Sequence, residues 1–172
     1  MVACPALGEL HAHDAVFVLT RGVHGGYALD PSTRKGTIQT MELDYLAVLV
    51  AAVVGFGVGA LWYSPLLFIK AWQEETGITD EMARQASPAK TFGISFVIAL
   101  VGAAAMDMFL DPASMGVVGC TLAGLCVGLV WVGGSFGINY LFEYKKLRLW
   151  FINAGYHTLQ YTLIGLILGL MS

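Results

Sequence analysis

Four stretches of this sequence are each long and apolar enough to cross a bilayer, and nothing else constrains the fold as much. A spanning helix needs about 20 mostly apolar residues. Residues of about 43–63, 91–110, 115–141 and 149–171 meet that requirement. The third stretch is long for a hydrocarbon core of ~30 Å, so it is expected to tilt or protrude. Period-two alternation, the mark of a transmembrane barrel, is absent. Composition points the same way. Charged residues are 12 % of the chain and apolar residues 57 %, against about 25 % charged in a soluble domain. So little charge cannot cover a water-soluble globule of this size. An ordinary soluble enzyme, a disordered chain and a disulfide-stapled module are excluded. The net charge of −3 gives no basic footprint for nucleic acid. The expected fold is all-α: an integral membrane bundle of four transmembrane helices, with a short interfacial helix between the first two.

Prolines mark the boundaries. Tyr63-Ser64-Pro65 ends the first span, because the residue before proline leaves the helical region. Ser64 can cap a new helix with Pro65 at its first position. That helix, Leu66 to Thr76, is apolar early and acidic late, as an interfacial segment is, and Gly77 stops it. Ser87-Pro88 and Asp111-Pro112 repeat the pattern before the second and third spans.

Orientation follows from the basic residues. Connection 64–90 holds Lys70, Arg84 and Lys90; connection 142–148 holds Lys145, Lys146 and Arg148. The short connection at 111–114 holds none. Both basic connections are therefore expected in the cytoplasm, and the C-terminus outside, in a multi-pass protein of the cell (inner) membrane. Trp62, Tyr63, Trp72, Tyr140, Tyr144 and Trp150 would form the aromatic belt of that interface.

Residues 1–40 do not match the remainder. They hold His11, His13, His24, Arg21, Arg34 and Lys35, and they lack the regions of a signal peptide. The expectation is a disordered segment or one lying upstream of a natural start at Met41.

Two motifs carry a family resemblance. Gly59-Ala-Leu-Trp-Tyr-Ser-Pro-Leu-Leu-Phe68, continuing to Lys70-Ala-Trp72, is the first. Asn139-Tyr-Leu-Phe-Glu143, Leu147-Arg-Leu-Trp150 and Ile152-Asn-Ala-Gly-Tyr-His157 together form the second. From Met41 to the C-terminus the chain resembles the bacterial domain of unknown function 1761 family. Ile69 stands where members usually carry glycine. The resemblance implies a small four-helix membrane protein and no particular activity.

The fourth stretch divides into three faces at 100° per residue. Asn153, His157 and Gln160 share one 60° arc. Thr158, Thr162, Gly165 and Gly169 form a small-residue face, expected against another helix. Ile152, Leu159, Leu163, Leu166 and Leu170 form an aliphatic face, expected against lipid. The polar arc is expected to face the interior, because unpaired polar groups in hydrocarbon are costly. Asn139 and Glu143 lie four residues apart at the end of the third stretch. Glu143 either pairs with Arg148, accepts a hydrogen bond from Asn153, or is simply solvated. The candidate polar site is therefore Asn139, Glu143, Asn153, His157 and Gln160. An ionisable group at membrane depth is a functional candidate by default, and its plain alternative is a packing hydrogen bond.

Glycine spacing is the other recurrent signal. Ala51, Ala52, Gly55 and Gly59 share one face of the first span. The glycines of the third, including Gly124, Gly128, Gly133 and Gly137, scatter around a regular helix and define no single face. No P-loop, dinucleotide fingerprint, HExxH or nucleophile elbow occurs, so neither a cofactor nor a catalytic set is expected. The leading reading is a non-catalytic packing or partner-binding membrane component. The alternative is a small transporter or ligand-binding protein with a polar site around His157. The expected surroundings are the lipid bilayer and a second copy or another membrane protein.

Overall fold

The computed structural model describes residues 43–85 and 87–171. Expectations for residues 1–40 and for a start at Met41 lie outside the described residues. Helix α1 spans Tyr45–Trp62. The Asp44 carboxylate caps it, accepting from the amides of Leu46 and Ala47 at 3.1 and 2.9 Å, which satisfies two otherwise orphaned donors. Ser64 and Pro65 then turn the chain. Helix α2 covers Ile69–Thr76, three residues shorter at its start than expected. Residues 64–68 are taken up by turn bonds instead, such as Phe68 N–H to the Trp62 carbonyl at 3.1 Å. Gly77 ends α2 at φ 73°, a conformation that glycine adopts without steric cost.

A short helix α3, Asp80–Gln85, precedes α4, Pro88–Phe109. Helix α5 covers Pro112–Cys126, passes through a π-helical segment, Val127–Val132, and continues as α6, Gly133–Phe142. Proline opens both α4 and α5, where its missing N–H costs nothing. The side chains of Ser87 and Asp111 make no capping bond. Helix α7 runs Leu147–Met171.

Three of these helices are long and apolar enough to cross a membrane: α1, α4 and the continuous run Pro112–Phe142. At 31 residues that run is about 46 Å long. Gly116, at φ 64°, kinks it. Helix α7 is 25 residues long but less apolar, because Asn153, His157 and Gln160 interrupt it.

This least apolar of the long helices is the central one. It packs against α1 on one side and against α5, the π segment and α6 on the other, while α4 packs chiefly on α1. Ala47, Val48, Ala51 and Ala52 of α1, Ala103 and Met106 of α4, and Ile164 and Leu168 of α7 form the core. Small α1 residues let the backbones approach, as small-residue faces do in membranes. The expected aliphatic face of α7 is corrected here. Ile152 is buried, Leu163 and Leu166 are half-buried, and Leu159 and Leu170 are exposed. A helix flanked on two sides has little surface left for lipid.

The scattered glycines of the third stretch also find one face. Cys120, Gly124, Gly128 and Gly133 are all buried. A regular helix would carry Gly133 to the side opposite Gly124. The π segment adds about one residue to a turn, a back-rotation of ~100°, which returns Gly133 to the α7 side. Its signature is the Gly133 N–H bonding to the Gly128 carbonyl. A Cβ on Gly128 would lie 2.6 Å from the Thr158 Cα. On Gly124 it would collide with the Tyr161 carbonyl, and on Gly165 with the Cys120 carbonyl.

Candidate functional site

Three helices bring polar groups together near the start of α7. Tyr63 stands just past the end of α1, Tyr140 near the end of α6, and Asn153 less than two turns into α7. The Tyr63 hydroxyl donates to Asn153 Oδ1 at 2.9 Å. Asn153 Nδ2 donates to the Tyr140 hydroxyl at 2.6 Å. One buried amide thus uses its acceptor on one helix and its donor on another, so it fixes both distances at once.

One turn further, His157 Nδ1 lies 3.0 Å from Gln160 Oε1. A carbonyl oxygen only accepts, so in this arrangement Nδ1 is the donor. The imidazole stacks on Phe136 at 5.4 Å and 18°. Tyr156 lies 4.7 Å away and Tyr161 6.5 Å. Tyr156 packs on Tyr63 at 5.4 Å, and Phe136 on Tyr140 at 5.5 Å. Tyr63, Tyr156, His157, Phe136, Tyr140 and Asn153 therefore form a closed ring of contacts. Burial and the neighbouring Tyr156 and Tyr140 phenols push the Tyr63 hydroxyl above its ordinary pKa. It remains a neutral donor at physiological pH.

Glycines of α1 make room for this arc. A Cβ on Gly59 would meet the Tyr156 hydroxyl at 2.9 Å, and one on Gly55 the Gln160 Cγ at 3.2 Å. Two indoles add further ties: Trp62 Nε1 donates to the Ile152 carbonyl at 3.0 Å, and Trp150 Nε1 to the Gly133 carbonyl at 2.8 Å. Among the described residues, no buried side-chain nitrogen or oxygen lacks a partner. No group of three or more His, Cys, Asp and Glu side chains among them could hold a metal ion.

Of the five residues that the sequence suggested, the structure brings together Asn153, His157 and Gln160. Asn139 and Glu143 are exposed and stand apart. Phe136 and Tyr140 take the side of α6 that meets α7, so residues one step behind Tyr140 fall on its open flank. Glu143 bonds neither Arg148 nor Asn153. Arg148 instead reaches Glu74 at 2.8 Å and Glu75 at 3.5 Å, and Lys146 reaches Glu75 at 3.4 Å. These pairs clamp the end of α2 to the start of α7. Tyr63, Tyr140, Tyr156 and Phe136 were missed as site residues. Tyr63 and Tyr140 are among the aromatics expected as an interfacial belt, and their clustering at helix ends was the available signal; Tyr156 and Phe136 lie inside α7 and α6 and carry no such signal. Asp107, at the other end of the molecule, is half-buried and accepts from the Asp44 amide at 3.0 Å.

Comparison with known protein families matches residues 46–169 to the family described as protein of unknown function (DUF1761). No curated protein matches the chain significantly, and no solved structure does.

Proposed function

This chain belongs to the DUF1761 family, whose function is unknown, and from that premise we propose a non-catalytic membrane component that acts by packing or by binding a partner in the bilayer. One observation carries the reading. The polar arc spends its hydrogen bonds internally, Asn153 on Tyr63 and Tyr140 and Gln160 on His157. A catalytic site keeps groups free for substrate, whereas these groups hold three helices in register. We take α7 as the fourth crossing, with α2 lying along the interface. The ion pairs from Arg148 and Lys146 to α2 support having connections 64–90 and 142–148 on one side, and their basic residues favour the cytoplasm of an inner membrane.

The test is the unfolding midpoint of the purified full chain, wild type against His157→Ala and Gln160→Ala. A clear loss in both supports a structural arc. Unchanged or raised stability would overturn it, since residues kept against stability usually serve binding. A second reading, a small transporter or ligand-binding protein centred on His157, draws on one observation. The imidazole is only half-buried and has three aromatic rings around it, a setting that also suits a small organic ligand. Solute flux into proteoliposomes that stops in His157→Ala, with the midpoint unmoved, would favour it.

A further inference from the structure

Two grooves beside the start of α7 share only Tyr140 with the polar ring, and their chemistry is uneven. One, of about 240 Å³, lies between α6 and α7. Gly137, Leu141, Leu147 and Trp150 line its apolar wall, and Lys145 and Lys146 are on its rim. A second, of about 420 Å³, has Trp150 as a common wall and runs along α7 past Ala154 and Thr158 to Thr162, with Leu125 and Leu129 opposite. From Trp150 to Thr162 the helix rises ~18 Å, close to the ~15 Å depth of one leaflet's hydrocarbon.

Charge decides what this shape can hold. Arg148 and Lys146 are compensated by Glu74 and Glu75. Lys145 makes no ion pair among the described residues, although Glu143 is two positions away. It stands on the tight turn that Tyr144 forms at φ 55°, beside the Tyr140 and Trp150 rings. Lys146 is exposed and has three donors, more than its one contact to Glu75 uses. Lys145 is thus the one rim cation without an ion pair among the described residues, Lys146 has donors to spare, and the two grooves behind them are apolar. A soluble anion would match only the rim, and a zwitterionic lipid only the grooves.

We propose that these two neighbouring grooves, on either side of the Trp150 indole, together bind an anionic phospholipid, with its phosphate at Lys145 and Lys146 and one acyl chain passing Trp150 and lying along α7 to Thr162. Basic pockets between membrane helices bind anionic head groups by the same electrostatics. Tyr140 belongs to both the first groove and the polar ring, but the charge and the second groove lie outside the ring, so the proposal stands whether or not that ring is structural.

The experiment is native mass spectrometry of the full chain in mixed micelles containing equal amounts of phosphatidylglycerol and phosphatidylcholine. Wild type is expected to retain phosphatidylglycerol preferentially. Lys145→Gln should lower that preference about fivefold, the contribution of one lysine near an anionic surface, while Lys145→Arg keeps it. Unfolding midpoints in phosphatidylcholine alone should agree for all three proteins, as befits an exposed side chain. Equal retention of the two lipids by wild type would overturn the proposal. So would an undiminished preference in Lys145→Gln, or displacement of phosphatidylglycerol by millimolar inorganic phosphate, which would mark a site for soluble anions.

Discussion

Asn153→Ala is the sharpest perturbation of the polar ring, because one amide joins α7 to both α1 and α6. The substitution removes the bonds to Tyr63 and Tyr140, at 2.9 and 2.6 Å. Interhelical side-chain bonds in membrane proteins average ~0.6 kcal/mol and reach ~1.7, so two should be worth about 1–3 kcal/mol. The upper part of that range is favoured, since Asn153 is 9 % exposed and water cannot easily replace it. The two orphaned phenols pull the other way. Both are only half-buried and can turn toward the interface, so the full penalty of ~1–3 kcal/mol per unsatisfied buried group does not apply. About 2 kcal/mol is expected. The assay is equilibrium unfolding in mixed micelles for Asn153→Ala, Tyr63→Phe, Tyr140→Phe and the double variants. Each phenylalanine change should cost roughly 0.6–1.7 kcal/mol. It should cost almost nothing once Asn153 is alanine, giving a coupling energy equal to one bond. Additive double variants would refute the reasoning, as would a single Asn153→Ala cost below ~0.5 kcal/mol.

Four other substitutions and one pH titration extend the test. Gly165→Ala would push its Cβ into the Cys120 carbonyl and should cost about 1–3 kcal/mol, the range of overpacking. Gly57→Ala meets nothing within 4 Å and should be neutral or stabilising by up to ~1 kcal/mol; the two unfolding midpoints decide. Glu75→Gln should cost about 1–2 kcal/mol, between the exposed and buried limits for ion pairs, because its side chain is 5 % exposed and faces both Lys146 and Arg148. Glu74→Gln, at an exposed carboxylate, should cost under ~1 kcal/mol, with the difference measured by denaturant titration. The raised pKa of Tyr63 gives a pH dependence with a definite sign. The folded state holds this proton more tightly than the unfolded one, so its contribution is complete below the unfolded value of ~10 and falls as pH rises beyond it. Wild-type stability should decline above about pH 10 more steeply than that of Tyr63→Phe.

The sequence alone determined much of this protein, because the bilayer makes local rules nearly sufficient. Apolar length fixed the helices α1, α4 and the run from Pro112 to Phe142. Pro88 and Pro112 fixed two helix starts, and Gly77 fixed a stop. Two of the three faces of α7 were also legible: Gly165 and Gly169 meet α5, and Asn153 and Gln160 are buried. These are matters of phase within one helix, which 100° per residue supplies. The sequence could not say which helix occupies the centre. That depends on which faces find partners, and it buried Ile152, a residue expected to meet lipid. Nor could it foresee the π segment, whose single extra residue turns Gly128 and Gly133 onto one face and leaves Asn139 and Glu143 on the open flank. The partners of the polar groups were equally hidden. Asn153 bonds Tyr63, 90 positions away, and Arg148 bonds Glu74 rather than its neighbour Glu143. Helical phase is local and can be counted along a chain, whereas pairing is a competition among all surfaces that meet, and only the assembled fold decides it.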